Sequence, residues 1–415
     1  MNIHELMQHL RQKNIAVEVD NGELVIKAAP GVIDAALLAV LKSNKKELTA
    51  ILVPSAPRIV PEMLNLVKLK QYEIDAIVAK VPDGAAGVQD IYPLGPLQEG
   101  ILFHHLLDNE TDTYLLRTAL RFDTRTHVDR FLSALQHVVD RHDILRSSVH
   151  WEGLERAVQV VHRQAPIKVR EIAFDTAVDT HAQLMDMTDH LRLDLSRAPL
   201  LVPFIAADQD SPAWYMVLVC HHIVCDHMTL EMLTSEVLLV LQGRLAELPR
   251  ALPYRNFIAH VASTPLSEHE RYFHAQLGDF NEPSAPFDIV DVQGNGTEVQ
   301  EAHLVLTSER TGQIRQVARR QAVSTATLFH LAWAQVLGRC CGRDDVVFGT
   351  LLLGRMHGSG GANRALGMFI NTLPIRLRVG NLSVSEALGS TFAQLTGLLD
   401  HEQAPLALAQ RCSGV

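Results

Sequence analysis

Apolar residues in the first part of the chain recur at helical spacing and then alternate from Ile15 to Ile26, as in a strand. An Asn-Gly pair divides the alternating run and tolerates the positive φ of a tight turn. Two further helical patterns follow, and Ser43 is placed to cap the second of them. Residues 1–52 are therefore expected to form an αββαα unit, which buries so little core that self-association or a partner is expected to add stability.

The rest of the chain mixes helical and strand patterns. Residues 53–90 carry several prolines and one short helical run, and we interpret them as a linker. Helical patterns follow at residues 128–139, 233–241 and 326–337, and short apolar runs typical of buried strands occur at 214–220 and 346–353. These patterns favour an α+β fold.

Composition narrows the class of protein. The 415 residues are 47% hydrophobic and 20% charged, which is typical of a globular chain and excludes disorder. The net charge of −10, without a dense block of Lys or Arg, argues against a nucleic-acid partner. The 5 cysteines have no C-x-x-C spacing, and neither a signal peptide nor an apolar run of membrane-spanning length is evident. We expect a cytoplasmic protein with no membrane partner.

The densest group of chemically active residues follows the apolar run 214–220 and consists of His221, His222, Asp226 and His227. Successive strand residues point to opposite faces, so only one of the adjacent histidines is expected to face a substrate. A neutral imidazole can accept a proton from an amine that attacks an acyl carbon. Two alternatives stay open, namely structural histidines at a strand end and a metal site formed by His222, Asp226 and His227.

The pattern His221-His222-x-x-x-Asp226 resembles the HHxxxDG signature of condensation domains from nonribosomal peptide synthetases. Other segments resemble further motifs of this family, in the family's order: residues 91–103, 141–146, 193–201, 254–257, 347–350 with 354–355, and 367–374. Residues 1–52 resemble the TubC-type docking domain found at subunit junctions of such enzymes. The resemblance therefore covers most of the chain.

The resemblance implies an architecture within the α+β class. Two chloramphenicol-acetyltransferase-like lobes, residues 91–265 and 266–415, are expected to form a V with a central tunnel. The family normally continues beyond the segment that matches residue 415. We therefore expect the second lobe to be incomplete and to leave apolar surface open.

The resemblance also implies a reaction between substrates carried on the phosphopantetheine of two carrier proteins. The upstream carrier presents an acyl or peptidyl thioester, and the downstream carrier presents an aminoacyl thioester whose amine attacks. His222 corresponds to the catalytic histidine and Asp226 to a structural carboxylate paired with Arg355, for which Arg343 and Arg146 are alternatives. No intrinsically bound cofactor or metal is expected.

Two departures from the common signature indicate a subtype. His227 stands where the signature has Gly, and His104-His105 form an earlier pair. If Pro96 begins a helix, His105 shares the inward face of Ile101, four residues before it. The segment resembles the extra histidine motif of dual epimerisation/condensation domains, which implies epimerisation of the upstream L-residue before condensation. The alternative is two polar residues on a partly buried helix.

The docking unit is expected to bind the C-terminal peptide of an upstream synthetase subunit along its hairpin edge and to form a homodimer. Its lysines either attract an acidic tail or form a solvated basic face. The candidate partner-binding residues are Ile15, Val17, Val19, Leu24, Ile26, Lys27, Lys45 and Lys46.

Two rival functions stay open. One is a starter-type condensation domain that N-acylates an amino acid with fatty acyl-CoA, against which a docking unit argues because a first module receives no upstream subunit. The other is a non-catalytic domain that recruits partner proteins and keeps the histidine motif as architecture.

Overall fold

A computed structural model describes residues 58–107, 112–174, 179–290, 300–355 and 364–415, and before them positions 6, 9–10, 13, 15–20, 23–28, 33–45 and 48. The chain divides into two compact units. The first comprises residues 1–63 and 69–88, and the second comprises residues 64–68 and 89–415.

The first unit contains the predicted hairpin. Strands β1 (Ala16–Asp20) and β2 (Glu23–Lys27) are antiparallel, with Val17 opposite Ile26. Helix α1 (Ala35–Ser43) begins after Asp34, whose Oδ1 accepts a hydrogen bond from the backbone N–H of Leu37 at 2.7 Å. These elements confirm the predicted hairpin and second helix. The apolar core of this unit consists of Leu6, Leu10, Ile15, Leu37, Leu41 and Leu48.

The prediction that Ser43 caps a third helix is wrong. Ser43 is the last residue of α1, and its hydroxyl donates to the carbonyl of Val40 at 3.0 Å. A serine in a final helical turn readily bonds back to a preceding carbonyl, and the oxygen of Ser43 accepts from the Asn44 side-chain Nδ2 at 3.3 Å. The predicted first and third helices lie largely outside the described residues.

The segment interpreted as a linker contains regular structure. Helix α2 (Gln71–Val78) lies between short 3₁₀ turns at Pro61–Met63 and Gly84–Ala86. Glu73 closes the start of α2, because its Oε2 accepts from the Lys70 backbone N–H at 2.6 Å. Ile74 and Ile77 are buried, so this part of the chain packs instead of only tethering.

The strands that follow in the chain are β3 (Val88–Pro93), β4 (Leu115–Phe122), β5 (Ser147–His150), β6 (Val158–His162), β7 (Arg170–Glu171), β8 (Leu201–Ala207), β9 (Trp214–His221), β10 (Asp345–Leu352) and β11 (Asn371–Arg378). Within the described residues they form three sheets. One has the strand order β4-β9-β8-β7, another β3-β6-β5, and the third pairs β10 with β11.

Helices lie between groups of these strands and after the last of them, which agrees with the predicted mixture of α and β structure. None in the described part of the chain is both long and apolar enough to cross a bilayer. They are α3 (Pro96–Leu107), α4 (Arg125–Arg141), α5 (Thr180–Asp189), α6 (His227–Leu241), α7 (Arg255–Ser263), α8 (Leu266–Leu277), α9 (Ser308–Arg320), α10 (Thr325–Cys341), α11 (Val384–Leu399) and α12 (Leu406–Arg411).

Strand β9 is an inner strand whose residues from Met216 to His221 are buried on both faces, which explains its continuous apolar run. It is antiparallel to β4, with His221 opposite Leu115, and antiparallel to β8, with Cys220 opposite Leu201. An inner strand that is covered on both faces carries apolar residues at every position. The histidine motif therefore begins where the best-anchored strand of this sheet ends.

Apolar side chains of the second half of this unit are partly exposed. Phe329 and Trp333 on α10 are 54% and 53% exposed, and Leu351 on β10 is 62% exposed.

Candidate functional site

The end of β9 holds the two adjacent histidines in different environments. His221 is buried, and its backbone N–H donates to Leu200 O at 3.0 Å. His222 begins a 3₁₀ turn (His222–Val224) and is half-buried. Its backbone N–H donates to Tyr114 O at 2.7 Å, whereas its ring Nδ1 is buried without a hydrogen-bond partner in the described structure. A buried unpaired ring nitrogen is a candidate for chemistry.

Asp226 fixes the end of the turn that carries His222 through hydrogen bonds and an ion pair. It is the N-cap of α6, where its Oδ1 accepts from the Thr229 backbone N–H at 2.7 Å. Arg355 Nη2 lies 3.0 Å from both carboxylate oxygens, and the Phe369 backbone N–H donates to Oδ2 at 3.2 Å. The Asp226 side chain has no exposed surface and that of Arg355 is 7% exposed, so this is a buried ion pair with additional hydrogen bonds.

Arg355 is held in place by its own neighbours. Its Nη1 donates to Ala365 O at 2.6 Å and its Nη2 to Thr229 Oγ1 at 3.2 Å. The guanidinium carbon lies 3.9 Å from the centre of the Phe369 ring, a cation–π contact.

Gly367 permits a close approach beside this pair. The Thr229 hydroxyl donates to Gly367 O at 2.7 Å and accepts from Gly367 N–H at 2.9 Å. Gly367 has φ +148, and a Cβ there would lie 2.2 Å from Tyr254 Cδ2. The Tyr254 hydroxyl in turn donates to Met368 O at 2.5 Å. No other residue fits position 367 without displacing the tyrosine.

A second buried carboxylate contacts His221, the last residue of β9. Asp112 Oδ2 is 3.1 Å from His105 Nδ1 and 3.2 Å from His221 Nε2. All three side chains are at most 4% exposed, and the two imidazole rings meet edge to face at 5.7 Å. Burial alone would raise the pKa of Asp112, but the hydrogen bonds from His105 and His221 hold it well below its usual range. Burial lowers the pKa of His221, although the bond to Asp112 opposes this shift.

The spacing of this cluster also bears on metal binding. The donor atoms of His105, Asp112 and His221 lie within 4.8 Å of one another, close enough for a metal ion. Each donor atom already has a hydrogen-bond partner within the group, so hydrogen bonds between one carboxylate and two imidazoles account for the spacing. The alternative metal site at His222, Asp226 and His227 does not form, because the oxygens of Asp226 are engaged by Arg355 and backbone N–H groups.

These features agree with a comparison of the chain with known proteins. A family model described as the condensation domain matches residues 88–414. The chain belongs to the condensation-domain family. A second model, the TubC N-terminal docking domain, matches residues 3–52.

The curated relatives of this condensation domain are much longer proteins. It is 45% identical over 389 residues to malpinin synthetase and 43% identical over 388 residues to malpibaldin synthetase, both of Mortierella alpina. Each alignment covers 91% of this chain but only 5% and 7% of the respective synthetase. The chain therefore spans a small fraction of their length.

A solved structure supports the mixed α/β fold of this family. The EpoB cyclization-docking bidomain of Sorangium cellulosum matches with a TM-score of 0.61 at 18% sequence identity. The match covers 99% of this chain and 79% of that chain.

The remaining histidines predicted from the motifs fall in different places. His105 faces inward on α3, as its spacing from Ile101 predicts, whereas His104 is exposed, with its ring 6.0 Å from that of Tyr114. The side chain of His227 is 81% exposed and its Nε2 lies 3.2 Å from Glu231 Oε1. The first turn of α6 directs His227 toward solvent, and its part in the reaction stays a prediction.

The partner of Asp226 is Arg355, as expected, and neither alternative arginine. Arg146 donates from Nη1 to Gln89 Oε1 at 2.9 Å and to His162 O. Arg343 pairs with Glu282 at 2.9 Å. Both alternatives are engaged elsewhere in the fold.

The supporting roles of three residues were not predicted from the sequence. They are Gln98, Thr229 and Asp112, of which Asp112 accepts a hydrogen bond from His221. Gln98 is buried on α3, and its Nε2 donates to Ile223 O at 2.7 Å, inside the turn that carries His222. Its Oε1 accepts from the Gly95 backbone N–H at 2.7 Å. A polar residue on the inward face of an apolar helix was the available signal.

In the docking unit, several candidate binding residues serve the core. Ile15 is buried, and the half-buried Val17 and Ile26 pack against the same core. Lys27 and Lys45 are exposed. Val19 and Leu24 are described by their strand pairing alone, and Lys46 lies outside the described residues.

Proposed function

We propose that this condensation domain forms an amide bond between two substrates bound as thioesters to carrier proteins. The observation that carries the proposal is His222, which is half-buried at the end of an inner strand with its Nδ1 unpaired and its turn fixed by neighbouring elements. A histidine held this rigidly beside solvent is suited to orient an amine and to manage its proton. Asp226 and Arg355 act through the turn and are positioning residues.

In the proposed reaction, the amine nitrogen of the downstream aminoacyl thioester attacks the carbonyl carbon of the upstream thioester. The new C–N bond forms, the C–S bond breaks, and the upstream phosphopantetheine leaves as a thiol. The nitrogen loses one proton, which His222 transfers toward the leaving sulfur. The amide product stays on the downstream carrier.

The first test replaces His222 by Ala and measures product by mass spectrometry with an upstream and a downstream carrier loaded with aminoacyl thioesters. We expect product formation to fall by about 10²- to 10⁴-fold, the usual contribution of a proton-transfer group. His137→Ala, at an exposed histidine of α4, is the matched control and leaves the rate unchanged. Unchanged product formation by the His222 variant, with carriers still bound, would favour the recruitment function instead.

We propose further that this domain epimerises the upstream residue before condensation. Asp112 accepts from His105 Nδ1, which leaves Nε2 of the neutral ring as the basic nitrogen. In the proposed step, Nε2 takes the α-proton of the L-aminoacyl thioester, and the electron pair moves to the thioester oxygen. Return of a proton to the opposite face restores the thioester with D configuration. His104 is the second candidate for this step.

Chiral analysis of the dipeptide product tests epimerisation. With an L-loaded upstream carrier, we expect a D–L product from the unaltered protein. His105→Ala is expected to give an L–L product or none, because the basic nitrogen is removed. An L–L product from the unaltered protein would contradict epimerisation and leave condensation alone.

The match of residues 3–52 to the TubC N-terminal docking domain supports a proposal about how an upstream subunit is recruited. We propose that the unit matching TubC binds an acidic C-terminal peptide of an upstream subunit along the hairpin of β1 and β2, and that it forms a homodimer. Lys27, at the end of β2, and Lys45, just after α1, are both exposed in this unit. Changing both lysines to Glu is expected to weaken peptide affinity about tenfold at low salt, because like charges then face each other. The control for peptide binding is Lys70→Glu, which lies outside the residues that match the docking-domain model. Analytical ultracentrifugation of the unaltered protein tests whether it forms a dimer.

A further inference from the structure

Asp112 receives three N–H groups. His105 Nδ1 and His221 Nε2 both lie near its Oδ2, at 3.1 and 3.2 Å, and the Tyr114 backbone N–H donates to Oδ1 at 3.2 Å. The side chain of Asp112 has no exposed surface. Both oxygens are therefore used as acceptors, which suits a buried carboxylate.

The tautomer of His221 follows from its other contact. The Ile223 backbone N–H donates to His221 Nδ1 at 3.0 Å, so Nδ1 carries a lone pair and no proton. The neutral ring therefore has its proton on Nε2, where it is donated to Asp112. Since both ring nitrogens are engaged, His221 does not exchange protons with a substrate. It links Asp112 to the backbone of the turn.

The turn that carries His222 is thus attached to Asp112 along two routes. One route runs from Asp112 through the ring of His221 to Ile223 N–H. The other runs through Tyr114, whose N–H donates to Asp112 and whose carbonyl accepts from His222 N–H at 2.7 Å. Both routes end on the backbone next to the ring of His222.

From these contacts we infer that Asp112 is a positioning residue for His222 as well as for His105, so that one carboxylate supports both condensation and epimerisation. This inference rests on the proposed function and deepens it. The two steps then share a common structural requirement although their histidines lie on different elements, α3 and the turn after β9.

Asparagine cannot replace Asp112 in this arrangement. If the amide oxygen faces the two imidazoles, the NH₂ group meets the Tyr114 N–H. If the oxygen faces Tyr114, the NH₂ group meets His221 Nε2–H, which cannot change tautomer while Nδ1 accepts from Ile223. Each orientation sets a donor against a donor, so the turn must shift.

The experiment compares Asp112→Asn with the unaltered protein on two donors. An upstream carrier loaded with a D-aminoacyl thioester bypasses epimerisation and reports condensation alone, whereas an L-loaded carrier reports both steps. We expect Asp112→Asn to abolish formation of D product and to reduce condensation of the D-loaded donor about 10- to 100-fold, the effect of a misplaced reactive group. Condensation of the D-loaded donor within twofold of the unaltered rate would overturn the inference.

Two controls keep the result interpretable. Asp189→Asn makes the same change at a half-exposed carboxylate paired with Arg117 and is expected to leave both rates unchanged. If Asp112→Asn fails to fold by circular dichroism, Asp112→Glu retains the charge but moves it by one methylene. That variant is also expected to slow condensation of the D-loaded donor, and an unchanged rate would overturn the inference.

A spectroscopic readout separates this inference from the proposed function. In protein labelled with ¹⁵N-histidine, we expect His221 to show the Nε2–H tautomer and the ring signals of His222 to shift in Asp112→Asn but not in Asp189→Asn. If the unaltered protein forms no amide from any donor, the proposed function fails and these signals alone decide the inference. An unmoved His222 signal would then overturn it.

Discussion

Asp112 and Asp226 are both carboxylates without exposed side-chain surface, yet they are compensated by different groups. Asp226 faces Arg355, whose guanidinium keeps its charge at every pH that the protein tolerates. Asp112 faces His105 and His221, whose protons depend on pH and tautomer. The Asp226–Arg355 ion pair is suited to holding the turn in a fixed position. The hydrogen bonds of Asp112 with the two histidines are suited to fixing which ring nitrogens carry protons.

The two carboxylates also connect the chain over different distances. Asp226 bonds to Arg355 and Phe369, which are 129 and 143 residues away. Asp112 bonds to His105, 7 residues away, and to His221, 109 residues away within the neighbouring strand. Loss of the Asp226 contacts should therefore affect the whole unit, whereas loss of the Asp112 contacts should act mainly on the histidines.

The largest effect is expected from Arg355→Leu. This change leaves Asp226 buried without its cation, which typically costs about 3–5 kcal/mol in the free energy of unfolding. Urea denaturation of the whole protein, followed through the unfolding of the second unit, measures this loss. The control is Arg244→Leu, at an exposed arginine paired with Glu247, which is expected to leave the free energy of unfolding unchanged. A loss for Arg355→Leu as small as that of the control would mean that Asp226 needs no permanent cation.

Thr229→Val is expected to have the next largest effect. The hydroxyl both donates to and accepts from the backbone of Gly367. Its removal leaves the buried Gly367 N–H unpaired, at a cost of about 1–3 kcal/mol, and leaves the Gly367 carbonyl with only the longer bond from the Asp226 N–H at 3.4 Å. Thr234→Val is the matched control, since its exposed hydroxyl bonds only to Leu230 O within the same helix. Equal effects on the unfolding midpoint in the two variants would show that the hydrogen bonds between Thr229 and Gly367 do not stabilise the fold.

The contribution of His221 to stability is expected to depend on pH. Burial lowers the pKa of His221 from 6.5, so below about pH 6.5 the unfolded chain binds a proton that the folded chain does not. The free energy of unfolding therefore decreases as pH falls through this window, by up to about 1.4 kcal/mol per pH unit for this group. His221→Gln is expected to lose less stability between about pH 7.5 and 5.5 than the unaltered protein.

Urea denaturation at both pH values checks this slope, with His137→Gln as the exposed control. An unchanged slope in His221→Gln would show that His221 titrates alike in both states.

The smallest effect is expected at His227. Its exposed side chain contacts only Glu231 among the described residues, so His227→Ala should change the free energy of unfolding by less than about 0.5 kcal/mol. The condensation rate should stay within about twofold of the unaltered value. A larger loss of rate would show that His227 takes part in the reaction, as its position in the motif predicted.

Local patterns predicted much of the secondary structure. Strands β1, β2, β9 and β10 and helices α4, α6 and α10 follow from periodicity, because alternation and helical spacing reflect which face of each element is buried. The inward direction of His105 followed from the same rule. The helix in the supposed linker was signalled by a short helical run, but its burial was not, since burial depends on neighbours that the local pattern does not name.

The ion-pair and turn contacts were harder to predict. Three arginines were possible partners for Asp226, and all are charged and distant in sequence. Only the path of the chain brings Arg355 to 3.0 Å and engages Arg146 and Arg343 elsewhere. The outward direction of His227 likewise depends on where the first turn of α6 begins.

The sequence by itself determined the classes of element, the family resemblance and the candidate histidines, because these depend on local spacing and residue type. Tertiary structure alone decided that Asp112 joins His105 to His221 and that Gln98 and Thr229 hold the neighbouring turns. Hydrogen bonds and buried ion pairs form at contact distances of about 3 Å. Such distances between residues a hundred positions apart are set by the packing of the whole unit.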